Sequence, residues 1–234
     1  LLVKYGVSLQ KEDLAVSYEK LLILESKWSD EITDTRSSTE IYTSIESLFS
    51  LQEQPVRIIN RPLLSKLYLE DINQFVSLDS NKAGPNIVIM AAHGSHTTIK
   101  KEGRKLNRRV LDGYDGEIHL SEDMKEYVKK YGDNLKRTIF ILDSCQIGTN
   151  ISGFLKVSKS YGVVGFSKNV DWIDSAIFTL ALLLKFQQDG VFQLQRARKD
   201  NPKAERILTK MKKSLYAPLM KALGVEYKFS SSIG

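Results

Sequence analysis

The chain has 234 residues, 42% hydrophobic and 26% charged, with a formal net charge of +6 and a pI near 9.2. That length supports a substantial buried core in one large or two small domains, and the composition is that of an ordinary globular protein with no repeat or low-complexity segment. The longest apolar stretch, Ala176 to Phe186, is shorter than the ~20 residues of a membrane helix, which excludes a membrane span.

The single cysteine, Cys145, excludes an intramolecular disulfide. The chain opens on Leu1-Leu2 without the positive flank and long apolar core of a signal peptide, so a reducing, cytoplasmic setting is expected. The excess positive charge sits in local clusters, Lys100-Lys101 with Arg104-Lys105 and Arg108-Arg109, and in the tail from Arg196 to Lys213. These read as solvated basic faces, and nucleic acid is not expected as a direct partner.

In chain order, Leu14, Leu21, Leu22 and Leu24 recur at helical spacing and predict a helix through about Ser29. After the polar break Asp34 to Thr39, Ile41, Ile45, Leu48 and Phe49 predict a second short helix capped by Ser37 or Ser38. Residues 1–54 thus form an N-terminal helical segment, either an appended module or a layer on the following domain, which spans 55–234.

From Pro55 strand and helix signals alternate. Val56 to Ile59 predicts a strand, Leu63 to Val76 a helix, and Asn86 to Ala92 a buried strand after the turn residues Asn81 to Pro85. Thr97 to Lys100 and Leu106 to Leu111, joined through Glu102-Gly103, predict an exposed hairpin. A helix from Ser121 to about Tyr131, with Glu122 and Asp123 at its positive end, precedes a buried strand from Arg137 to Leu142. Asn150 to Ser158 predicts a helix, Tyr161 to Phe166 a buried strand, Ile173 to Gln187 an apolar helix, and Leu208 to Leu223 a basic amphipathic helix. Such alternation implies an α/β fold, a mostly parallel sheet with helices on both faces.

Two strand ends carry the chemistry. Ile87-Val88-Ile89-Met90 runs into His93-Gly94, and Ile139-Phe140-Ile141-Leu142 runs into Asp143-Ser144-Cys145. The ends of buried strands are where an open α/β sheet meets ligands. If the two strands are neighbours, a histidine lies beside the only thiol, the pairing that nucleophilic catalysis by a thiolate requires. The glycine after His93 admits close backbone approach, so the amides of Gly94 and Cys145 are candidate donors to an oxyanion.

These residues carry a resemblance. His93-Gly94 followed 52 positions after the histidine by Asp143-Ser144-Cys145-Gln146-Ile147-Gly148 resembles the caspase-like cysteine peptidases, in a form closer to the metacaspases and bacterial CHAT-type peptidases than to caspases. Downstream, Val163 to Ser167, Val170-Asp171-Trp172 and the helix holding Ala176 and Phe178 are similar to the CHAT pattern, so the likeness covers roughly Val56 to Gln188. It implies a caspase-like fold and a dyad, with His93 as acid and base and Cys145 as nucleophile, and no required third carboxylate.

The resemblance also implies that Asp143, two residues before the cysteine, lines the pocket for the residue before the cut and selects Arg or Lys; capping the following turn is the plainer role for it. Asp171 and Trp172 are expected along the same cleft, and Ser167 with Lys168 is expected to pair with substrate backbone. His96 is a weaker rival to His93, and His119 is expected to be an ordinary surface residue.

The expectation is a cysteine endopeptidase acting on a protein substrate without metal or organic cofactor, restrained by a regulatory or sensor partner. The connector from Ser95 to Glu117 is a candidate gate. The alternatives are a catalytically silent caspase-like scaffold that binds protein or nucleic acid through basic surfaces, and acyl transfer on a small substrate by the same dyad.

Overall fold

Four consecutive apolar residues, Leu21 to Leu24, each at most 1% exposed, form the middle of a strand, β1 (Tyr18–Glu25), in the computed structural model of the chain. The structure describes residues 18–28, 37–50, 56–78, 85–101, 104–192 and 203–230. The helix expected from Leu14 to Ser29 is therefore this strand where the residues are described, and Leu14 lies outside them. A short run buried on both sides suits a strand in a covered sheet and a buried helix equally, and periodicity alone does not separate the two.

The remaining strands are β2 (Val56–Pro62), β3 (Asn86–Ala91), β4 (Gly94–Lys101), β5 (Arg104–Gly113), β6 (Gly116–Ile118), β7 (Thr138–Asp143), β8 (Gly162–Phe166) and β9 (Val225–Phe229). Six form one sheet in the order β2-β1-β3-β7-β8-β9, parallel throughout except for β9, which runs antiparallel to β8. The other three, β4, β5 and β6, form a small antiparallel sheet from the Ser95 to Glu117 connector, whose expected turn at Glu102-Gly103 lies outside the described residues.

Helices cover both faces of the main sheet. Alternate strand residues Leu21, Ile23, Ile87, Ile89, Ile139 and Ile141 pack with α1 (Thr39–Ser50), α5 (Trp172–Gln188), α6 (Lys203–Met211) and α7 (Ala217–Leu223). The other set, Leu22, Leu24, Val88, Met90, Phe140 and Leu142, packs with α2 (Tyr68–Ser77), α3 (Leu120–Tyr131) and α4 (Ile151–Ser158). The described part of residues 1–54 thus supplies an interior strand, which neither expected arrangement included, and one covering helix. Among the described residues no helix is long and apolar enough to cross a membrane.

The C-terminal region departs from expectation. The single helix expected from Leu208 to Leu223 is broken into α6 and α7, with Pro218 in the first turn of α7. A proline inside one continuous helix would lack the N–H for its ladder bond, so the chain restarts there. Strand β9 follows and was not anticipated, although its residues alternate apolar and polar.

Glu25, at the end of β1, fastens α1 to the sheet. Its carboxylate accepts from Trp28 Nε1 at 3.0 Å, from the Ser37 and Thr39 hydroxyls at 2.6 and 2.5 Å, and from both the amide and hydroxyl of Ser38 at 2.6 Å. It also takes the Thr39 amide at 3.3 Å, which Ser37 Oγ shares at 3.2 Å. The orphan first-turn amides of α1 are therefore capped largely by a carboxylate from another element. Burial alone would raise the pKa of Glu25, but the hydrogen bonds from Ser37, Ser38, Thr39 and Trp28 outweigh it and hold the group below its ordinary value of 4.5.

Replacing Glu25 by Gln or Ala strands several buried donors, and a loss of about 3 kcal/mol in urea unfolding is expected. Because the folded carboxyl titrates below the unfolded one, its contribution is complete above the unfolded value and disappears as pH falls through the folded one. Acid unfolding curves of wild type and Glu25→Gln should therefore converge toward low pH.

Candidate active site

β3 and β7 are neighbours, in register from Asn86 opposite Thr138 to Ala91 opposite Asp143. The Ala92 amide extends the ladder by donating to the Asp143 carbonyl at 3.2 Å. The next residues on the two strands are His93-Gly94 and Ser144-Cys145, so the backbones of the two strand ends are adjacent. A methyl group added at Gly94 would overlap the carbonyl oxygen of Cys145 and come within 2.6 Å of Ser144 Oγ. Only glycine permits that approach.

His93 is exposed, and its Nε2 bonds to the backbone carbonyl of Trp28. A carbonyl can only accept, so Nε2 carries the proton and Nδ1 is left as the basic atom of the neutral ring. The indole of Trp28 meets the imidazole edge-on, with centroids 5.6 Å apart and planes at 73°. Trp28 is itself held by Glu25, so the orienting group comes from the loop after β1 and is a carbonyl rather than a carboxylate.

Cys145 is half-buried. The Val170 amide donates to its Sγ at 3.4 Å, and Sγ lies 3.6 Å from the Val170 carbonyl. The thiol makes no hydrogen bond to the imidazole. The Cys145 amide has no acceptor among the described residues, which leaves it available to a developing oxyanion.

Gln146 follows with φ 54°, a left-handed conformation uncommon outside glycine, and is held by its amide to the Lys168 carbonyl at 2.8 Å and by its side chain to Asn169 at 2.6 Å. Two residues on, a Cβ at Gly148 would fall 2.7 Å from the backbone of Gly165 and Phe166. The turn bearing Cys145 is thus pressed directly onto β8.

Asp143 is fully buried on the α1 and α5 side of the sheet. Tyr42 donates to its Oδ2 at 2.5 Å, while Oδ1 is buried without a hydrogen-bond partner. Burial pushes the Asp143 carboxyl up to about 6, against the opposing hydrogen bond from Tyr42 and with a smaller push from the Glu25 charge. It does not cap the turn after it.

The other expected site residues are divided. Trp172, in the first turn of α5, stacks obliquely on Trp28 at 6.3 Å and 40°, the indole that meets His93. Asp171 is exposed and caps α5, accepting from the Ile173 amide at 2.8 Å. Ser167 is turned to another use: its amide and hydroxyl both donate to the Gly224 carbonyl, at 2.8 and 2.9 Å. Lys168 gives its carbonyl to Gln146 and its ammonium to the Lys221 carbonyl at 2.7 Å. The backbone edge expected to receive substrate is taken by β9 and the turn before it.

His96 lies in β4 opposite Arg109, and its side chain is outside the described residues. His119 precedes α3 and faces Glu117 at 3.7 Å. Among the described residues no group of three or more His, Cys, Asp or Glu side chains is placed to hold a metal ion. Trp28, Tyr42 and Val170 were not anticipated as parts of the site.

No family model matches the chain, and no curated protein matches it in sequence. Among solved structures it is similar to a secreted C11 cysteine protease from Bacteroides thetaiotaomicron in complex with an irreversible peptide inhibitor, at 9% identity and TM-score 0.44, covering 71% of this chain and 54% of that one. A second structure of a secreted C11 cysteine protease from the same organism, called iotapain, is 14% identical with TM-score 0.41, covering 66% and 54%. The chain spans about half the length of these proteins. At such distances the functional reading stands on the geometry of the site itself.

Two outcomes follow. Gly94→Ala should lower stability by about 2 kcal/mol or more, because backbone must shift to admit the methyl group, as chemical denaturation would show. Asp143 is raised above its unfolded value of 3.8, so it favours the folded state fully below that value and loses this contribution as pH rises through about 6. The stability of wild type relative to Asp143→Asn should fall across that window.

Proposed function

We propose that the chain is a cysteine peptidase in which Cys145 attacks and His93 moves the proton. The observation that carries this reading is the histidine fixed through Nε2 on the Trp28 carbonyl at the end of β3, on the strand next to the one whose end bears a thiol accepting the Val170 amide. Nδ1 takes the Cys145 proton as sulfur attacks the scissile carbonyl carbon. The tetrahedral oxyanion is met by the unpartnered Cys145 amide and the backbone of Gly94. Nδ1–H then protonates the leaving amine as the C–N bond breaks, giving a thioester. Water, losing its proton to Nδ1, hydrolyses that thioester and frees the thiol.

Preference for Arg or Lys before the cut fits the buried carboxyl of Asp143, whose Oδ1 has no donor in the resting protein. An arriving guanidinium or ammonium would supply one and favour the charged form that burial alone disfavours. Trp28 and Trp172 form the aromatic side of the cleft in this reading. The Asp-Ser-Cys order is in keeping with the metacaspase-like and CHAT-type resemblance, and the substrate is a protein segment in extended form.

A panel of fluorogenic peptides tests this. Cleavage after Arg or Lys is expected, falling about a thousandfold or more in Cys145→Ala and His93→Ala. Asp143→Asn should reduce kcat/KM about thirtyfold or more on basic substrates and much less on uncharged ones. No cleavage by folded wild type of any peptide in the panel would favour a silent scaffold.

A further inference from the structure

A cavity of about 350 Å³ lies between β5, the start of α3, and the turn behind Cys145. It is on the opposite face of the sheet from Asp143: Leu142 points into it, and none of His93, Asp143 or Cys145 lines it. Its apolar wall is Leu120, Leu142, Ile147 and Phe154, and Ser121, Thr149 and Asn150 supply hydroxyl and amide groups.

Two arginines and one acid set its charge. Arg108 is matched by Glu122, with Nη1 2.5 Å from Oε1. Arg109 is different: the residue is part-buried, and its Nη1 is enclosed with no hydrogen-bond partner among the described residues. A buried guanidinium nitrogen left without an acceptor is costly, and the fork geometry of arginine is suited to carboxylate and phosphate oxygens. The same cavity meets the first turn of α3, where the cap residue His119 provides no side-chain hydrogen bond to the amides.

We propose that this cavity binds a small organic anion, an apolar body bearing one carboxylate or phosphate head that seats on Arg109. The volume is within the range of small-molecule sites, and the single uncompensated guanidinium calls for one oxyanion rather than a polyanion. The ligand would lie between two parts of the candidate active site. Strand β5 holds the His93 carbonyl through the Asp112 amide at 2.9 Å, and Ile147 to Asn150 is the turn that follows the nucleophile. A change in turnover on binding rests on the peptidase reading; binding itself does not.

Calorimetric titration at constant ionic strength separates the two questions, with phenyl phosphate, benzoate, inorganic phosphate and phenol as probes. Phenyl phosphate or benzoate should bind at least tenfold more tightly than inorganic phosphate and phenol, and the better of the two identifies the head group. Arg109→Met, checked for folding by circular dichroism, should weaken that binding at least tenfold. Glu122→Gln should tighten it severalfold by freeing Arg108, a gain that misfolding does not mimic. No binding of either organic anion at millimolar concentration, equal affinity in folded Arg109→Met, or unchanged or weaker affinity in Glu122→Gln would overturn the proposal.

Discussion

One buried carboxylate organises the active face. Glu25 ends an interior strand, accepts the first-turn donors of α1 and holds the indole of Trp28, whose carbonyl orients His93. Without it α1 loses its anchor on the sheet, and α1 carries Tyr42, the donor to Asp143. The two halves of the candidate chemistry, the proton carrier and the buried acid below the nucleophile, thus both depend on hydrogen bonds that lead back to a single side chain. Satisfying a buried charge with several short bonds also leaves it few alternative arrangements, which favours one geometry over many.

The sheet then does the rest by register. Because side chains alternate, Leu142 and Asp143 leave β7 on opposite faces, one toward the Arg109 cavity and the other toward Tyr42. Cys145 lies beyond the strand end, where the left-handed Gln146 reverses the chain and Gly148 lets the turn rest on β8. Positive φ at a non-glycine residue persists only where neighbours hold it, and here Lys168 and Asn169 do so.

Much of this was legible from residue order. The apolar runs before His93 and Cys145 gave β3 and β7 and the meeting of their ends, because continuous burial followed by a polar pair has few other meanings in an alternating chain. Strand β1 was not legible: Leu14 lent the following leucines a helical period, and only partners distant in sequence, β2 and β3, show that Leu21 to Leu24 is extended. That error hid Trp28, since a residue three past a strand end sits over the sheet edge while one on a helix does not. Ser167 was misjudged for a similar reason. Val225 to Phe229 alternates strictly, Val-Glu-Tyr-Lys-Phe, but over only five residues directly after a helix, and pairing with β8 closes the edge that substrate was expected to use. The role of the Trp28 carbonyl had no side-chain signal at all.

The outer strands bear on how copies of the chain meet. β2 presents Arg57, Asn60, Arg61 and Pro62 to solvent, and β9 presents Glu226 and Lys228. Charges and a proline along exposed rims discourage one sheet from continuing into another. Self-association by that route is disfavoured at both rims of the six-stranded sheet.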